Sequence, residues 1–183
     1  MKKQLLLFAF VTFIMSGTFA QLADGTVAPN FTFTDLKGKK QDLYSYLKEG
    51  KSVVLDVSAT WCGPCWRYHK SGELEEFYKK CGPQGTNKAM VIFVEGDART
   101  NTECLSNAQG CNSRTAGDWT KDTPYPICNP EGDAANKFAE NYQIMYYPSM
   151  YFISAKDKKV YKADQYTASQ LEDMLKKHSS AAK

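Results

Sequence analysis

The chain has 183 residues, of which 43% are hydrophobic and 23% charged, a balance that excludes a disordered chain and suits one globular domain. Its formal net charge of +3 is small and spread along the sequence, which argues against a nucleic-acid partner or a membrane-surface role. The six cysteines are therefore the first feature that asks for an explanation.

Residues 1–20 read Met1-Lys2-Lys3-Gln4, an apolar run from Leu5 to Met15, and a small-residue stretch from Ser16 to Ala20. A basic start, a short apolar middle and a small-residue end form the pattern of a secretory signal peptide. The apolar run is well short of the roughly 20 residues that span a bilayer. Cleavage after Ala20 is expected, leaving residues 21–183 as a single domain, soluble in a periplasmic or otherwise extracytoplasmic space, without stable membrane insertion. All six cysteines lie beyond the leader, where an oxidising compartment lets disulfides persist.

Phe31 to Thr34 and Lys39 to Asp42 flank a turn at Lys37-Gly38 and predict a hairpin, with Leu43 to Lys48 a short helix. Ser52 to Ser58 is an almost unbroken β-branched and apolar run, the signature of a strand buried on both faces. Helical spacing then runs from Gly63 to Lys80 and stops at Gly82-Pro83. Ala89 to Glu95 is a second buried strand, so the order strand, helix, strand predicts parallel pairing. A polar stretch, about 96–127, is too long for a plain connection and reads as a functional insertion, with a short helix over Thr102 to Gln109. Ile127-Cys128 predicts a short strand and Asp133 to Tyr142 a helix. Ser149 to Ser154 and Val160-Tyr161 predict strands around a solvated tip at Lys156 to Lys159. Thr167 and Gln170 form a capping box that opens the last helix.

The chemistry is concentrated in Trp61-Cys62-Gly63-Pro64-Cys65. A cysteine at the first position of a helix faces free backbone N–H groups and the positive end of the helix dipole, which favour its thiolate. A second thiol three residues further on, with two residues between, can resolve a mixed disulfide formed on the first. Pro64 costs no hydrogen bond at the helix start, and Gly63 leaves room for a partner chain beside Cys62. Zinc would need two more ligands, and no second Cys-x-x-Cys or spaced histidine pair supplies them. Trp66 after Cys65 gives no support for covalent haem. No metal and no cofactor beyond a redox-active disulfide is expected.

The segment from Val54 to Cys65 resembles the active-site strand and turn of thioredoxins, and the resemblance runs from about Ala28 to Lys177. With the leading hairpin and the insertion, the chain is similar to exported TlpA- or ResA-type thiol:disulfide oxidoreductases. That resemblance implies an α/β, thioredoxin-like fold. It would have a central mixed sheet with helices on both faces, an N-terminal β-hairpin extension, and the insertion before the third main helix. It implies that Cys62 attacks a disulfide, that Cys65 resolves it, and that Asp56 serves as the buried proton acceptor. It further implies a cis Pro148 that, with Tyr147, Trp61, Gly63 and Pro64, receives an extended substrate segment. Exported protein disulfides are the implied substrates, and a membrane thiol-transfer protein the implied electron donor. His69, on the cysteine face of its helix, reads as an exposed or half-buried structural residue, with tuning of thiol acidity as the alternative.

Cys104, Cys111 and Cys128 follow C-terminal strand ends, on the side of the reactive pair, whereas Cys81 follows the long helix at the other end. A structural bridge is expected among the first three, with Cys104 to Cys111 favoured by their spacing and the remaining pairings open. Two rival readings stand beside the reductase. A peroxiredoxin-type peroxidase is disfavoured because Ala59 occupies the position where those enzymes resemble one another in carrying threonine. A non-catalytic binding module would leave the dithiol idle.

Overall fold

The computed structural model describes residues 21–178; the expected leader lies outside the described residues. The elements are β1 (Thr32–Thr34), β2 (Lys40–Asp42), α1 (Leu43–Lys48), β3 (Ser52–Ser58), α2 (Gly63–Ser71), α3 (Glu73–Cys81), β4 (Ala89–Glu95), α4 (Thr102–Leu105), β5 (Ile127–Cys128), α5 (Gly132–Asn141), β6 (Ser149–Ile153), β7 (Val160–Lys162) and α6 (Ala168–His178).

The main sheet has the order β5-β4-β3-β6-β7, with β3 parallel to β4 and antiparallel to β6. Every residue of β3 and β4 is buried, as an apolar central strand pair requires. Alternation sorts their side chains between two cores. Val53, Leu55, Val57, Met90, Ile92 and Val94 face the layer of α1 and α5. Val54, Val91 and Phe93 face the layer of α2, α3 and α6. Because successive strand residues point to opposite faces, Asp56 and Glu95 belong to the second face, the one that carries the cysteine helix. Each fully buried Val, Leu, Ile or Phe contributes about 1.5–3 kcal/mol, so these two layers dominate the stability of the fold.

The helical pattern over Gly63 to Lys80 is one run in the sequence but two helices in the structure. Gly72, at φ +78°, closes α2 and opens α3, and left-handed backbone of this kind is open to glycine at little cost. Side-chain periodicity survives the break, so it left no trace in the apolar pattern. The short helix in the insertion is likewise trimmed, to Thr102–Leu105. At α6 the capping box is reciprocal: the Gln170 N–H donates to Thr167 Oγ1 and the Thr167 N–H to Gln170 Oε1, at 3.3 and 2.9 Å.

One segment reaches both rims of the sheet. Near its start, Gly25 N–H and Ala28 N–H donate to the carbonyls of Val160 and Lys158, and Val160 N–H donates to Thr26. Near its end, Asp35 forms a bridge with Cys128 and Leu36 N–H donates to the Ile127 carbonyl. Residues 25–36 thus line the outer sides of β7 and of β5.

Candidate active site

Cys62 is the N-cap of α2, with extended backbone at φ −77° and ψ 108°, and its Sγ accepts the Cys65 N–H at 3.2 Å. The sulfur thus occupies the position where a Ser or Asp side chain usually satisfies a free helix N–H. The Cys62 N–H donates to the Ala59 carbonyl, and Cys62 and Cys65 are joined by a disulfide. With the pair oxidised, Cys62 retains 5% and Cys65 1% of their surface, so the site is more enclosed than an open helix tip. The larger share of what exposure remains is on Cys62.

Around the pair, Trp61 is exposed and its ring meets Tyr147 edge-on at 5.8 Å between centroids. Tyr147 and Pro148 are joined by a cis peptide bond directly before β6. Met145 and Tyr146 are exposed just upstream, giving this rim an apolar character that the sequence reading did not single out. Asp56 is fully buried on β3, and its Oδ1 accepts the Ser58 hydroxyl at 2.6 Å. Loss of water pushes its carboxyl up to about 6, against a smaller opposite pull from that hydroxyl.

The insertion is stitched to the residue two before Cys62. Thr60 Oγ1 donates to the Arg114 carbonyl, and the Thr60 carbonyl accepts the Ala116 N–H at 2.8 Å. Its next turn covers α2: Trp119 is wholly buried and meets Trp66 at 4.9 Å and His69 at 5.0 Å. Gly117 is required here by close approach, since a Cβ at that position would stand 2.3 Å from Trp66 Cζ2. His69 is consequently buried, stacked on Trp66 and 3.3 Å from the Tyr125 hydroxyl. Desolvation, aided by Lys70, pushes its ring down to about 4. The half-exposed histidine that the sequence suggests is therefore a neutral core group, because the insertion folds over a helix face that would otherwise meet solvent.

A second disulfide joins Cys104 to Cys111 and closes the insertion on itself. Cys128, held with them as a bridge candidate, is a free, buried thiol on β5, packed with Val94 and Phe138 in the other core layer. Burial pushes it up to about 12. Cys81 is also free and buried. Among the described residues, no group of three or more His, Cys, Asp or Glu side chains could hold a metal ion.

Two acids that sequence reasoning missed lie beside the cysteine turn. Glu95, the last residue of β4, accepts the Thr60 N–H on Oε2 at 2.9 Å and the Asp97 N–H on Oε1 at 3.1 Å. Asp97 accepts the Trp61 indole N–H at 2.9 Å and two N–H groups of the Arg99 guanidinium, which holds its carboxyl down to about 2.

Comparison with known proteins gives this site a family. The sequence profile of the AhpC/TSA family matches residues 25–163. The chain belongs to the AhpC/TSA family. Within it, the chain is 30% identical over 195 residues to the thiol-disulfide oxidoreductase ResA of Bacillus cereus, spanning 97% of this chain and 98% of that protein. It is 31% identical to ResA of Bacillus thuringiensis, over 84% of this chain and 77% of that protein. This AhpC/TSA member is thus of the TlpA/ResA type, among thiol-disulfide oxidoreductases. The fold agrees: the thioredoxin domain of a thiol-disulfide oxidoreductase from Bacteroides vulgatus superposes with a TM-score of 0.62 at 20% identity, covering 84% of this chain and 99% of that one. A thiol:disulfide interchange protein from Bacteroides sp. gives 0.60 at 20% identity, covering 88% and 94%.

Proposed function

We propose that this thiol-disulfide oxidoreductase reduces disulfides of exported proteins, with Cys62 as the attacking sulfur and Cys65 as the resolving one. The observation that carries the reading is Cys62 at the N-cap of α2, its sulfur already accepting a helix N–H and already bonded to Cys65. In the reduced protein the Cys62 thiolate displaces one sulfur of a substrate disulfide, which leaves as a thiolate and takes a proton. The Cys65 thiol gives up its proton, attacks Cys62, and expels the second substrate sulfur. Two electrons have then passed to the substrate and the Cys62–Cys65 bond has re-formed.

Asp56 is the proton acceptor in this scheme. A carboxyl that ionises at about 6 can receive a proton from Cys65 near neutrality and hold it away from solvent. Trp61, Gly63, Pro64, Tyr147 and Pro148 form the surface that receives the substrate segment, and the exposed Tyr146 and Met145 extend it. The redox-active disulfide needs no further cofactor. Re-reduction falls to a membrane-embedded thiol-transfer donor, and the working location is extracytoplasmic, following cleavage after Ala20. No helix among the described residues is long and apolar enough to cross a membrane.

The test is trapping with Cys65→Ser in the native compartment. The substituted protein is expected to accumulate mixed disulfides through Cys62, and Cys62→Ser to abolish both trapping and insulin-disulfide reduction. Turnover that survives Cys62→Ser refutes the assignment and favours an idle dithiol.

A further inference from the structure

The structure contains a buried carboxylate that the reaction above does not use. Glu95 is wholly buried at the end of β4, beside Ser58 in the β3 register. Its two oxygens divide their work: Oε2 holds the N–H of Thr60, two residues before Cys62, and Oε1 holds the N–H of Asp97. Asp97 in turn holds the indole of Trp61. One side chain therefore joins the peptide entering the cysteine turn to the loop that fixes the aromatic ring beside it.

The chemistry of that position is specific. Two backbone donors converge on it, so it needs an acceptor on each of its two terminal atoms, which both oxygens of a carboxyl group supply and a glutamine, with one oxygen and one NH2, does not. Burying an acid is costly, and desolvation pushes Glu95 up to about 8 while the two N–H groups pull it back. A fold that needed only apolar filling there would be better served by a hydrocarbon side chain. The remaining contacts of Thr60, its hydroxyl to Arg114 and its carbonyl from Ala116, come from the insertion, so Glu95 alone ties this residue to the sheet side through its N–H. The ionisable groups around Glu95 are Asp97 on its own loop, Asp56 on β3, and Tyr147 before β6.

We propose that Glu95 is a positioning residue for the dithiol: its two oxygens tie the peptide leading into Cys62 to the Asp97 loop, and so hold the sulfur at the helix start and the Trp61 ring beside it. The inference rests on the proposed role of Cys62. Releasing the Thr60 peptide loosens the N-cap and weakens the thiolate. Burial keeps Glu95 protonated at pH 6, so Glu95→Gln removes no charge there, and the change in Cys62 reports the loss of the tie alone.

The experiment is titration of Cys62 in the reduced protein, by iodoacetamide alkylation against pH with the modified peptide quantified by mass spectrometry. Glu95→Gln is compared with the wild type and with Leu47→Ala, a destabilised control in the core layer on the other face of the sheet. Glu95→Gln is expected to slow alkylation at pH 6 by about three- to tenfold through a weakened thiolate, and to change Trp61 fluorescence, while Leu47→Ala leaves both unchanged. An unchanged or more acidic Cys62 in Glu95→Gln overturns the proposal. Should Glu95→Gln fail to fold, Glu95→Asp, which keeps the carboxyl group but is too short to span both N–H groups, is expected to weaken the thiolate in the same direction, and a wild-type profile overturns the proposal. The titration reads Cys62 itself, so it gives its answer independently of whether Cys62→Ser retains turnover.

Discussion

Replacing Asp56 by asparagine tests the energetics of the site through folding alone. The carboxyl ionises at about 6 in the fold and near 3.8 in the unfolded chain, because burial disfavours its charge. Below pH 3.8 both states are protonated and the group is silent. Between 3.8 and 6 the unfolded chain releases its proton while the fold retains it, so stability falls as pH rises. Above 6 the full penalty of about 3 kcal/mol is present. Asparagine keeps an acceptor for the Ser58 hydroxyl but adds amide N–H groups to a buried site, a fixed cost of about 1–3 kcal/mol that does not vary with pH. Denaturant unfolding of the two oxidised proteins should therefore show Asp56→Asn gaining about 2.5 kcal/mol on the wild type between pH 4 and pH 8, whatever its starting deficit. Parallel stability profiles would refute the reasoning, since they would mean that Asp56 ionises in the fold as it does in water.

Four further outcomes are expected. Cys104→Ser with Cys111→Ser should lower stability by about 2–3 kcal/mol, the chain-entropy value for so short a loop, in the same unfolding assay. Gly117→Ala should destabilise by about 1–3 kcal/mol, because its methyl overlaps the Trp66 ring, and the effect should vanish when Trp66 is also reduced to Ala. His69, held down to about 4 by burial, should show no ring titration by NMR between pH 8 and pH 5.5, and its contribution to stability should fall as pH drops from about 6.5 to about 4, where the unfolded chain takes up a proton that the fold refuses. After mild reduction of the active pair, Cys81 and Cys128 should resist alkylation at pH 8 in the native protein and react only on unfolding, as mass spectrometry of the labelled peptides will show.

The elements that the sequence made legible are those with a local cause. Unbroken apolar runs give β3 and β4, the Thr167 and Gln170 pair gives the start of α6, and the Trp-Cys-Gly-Pro-Cys string marks the reactive turn. What stayed hidden depends on distant parts of the chain meeting. The break at Gly72 leaves the apolar spacing intact. His69 is buried where Trp119 and Tyr125, fifty or more residues later, fold over it. Cys128 points into the core layer away from α2, a consequence of strand register that spacing does not encode. Glu95 reads in the sequence as the polar end of a strand, and only the pairing of that strand with β3 sets it against the Thr60 peptide.

The segment of residues 25–36 has a consequence for life outside the fold's own interior. A β-sheet with a bare rim is a template for another copy, and proteins guard such rims with charge, prolines or cover. Here a single strip of chain stoppers both rims, so the two safeguards are inherited or lost together. Trimming the protein to begin after residue 36 would uncover both at one stroke, and end-to-end stacking of molecules into linear aggregates is the expected fate.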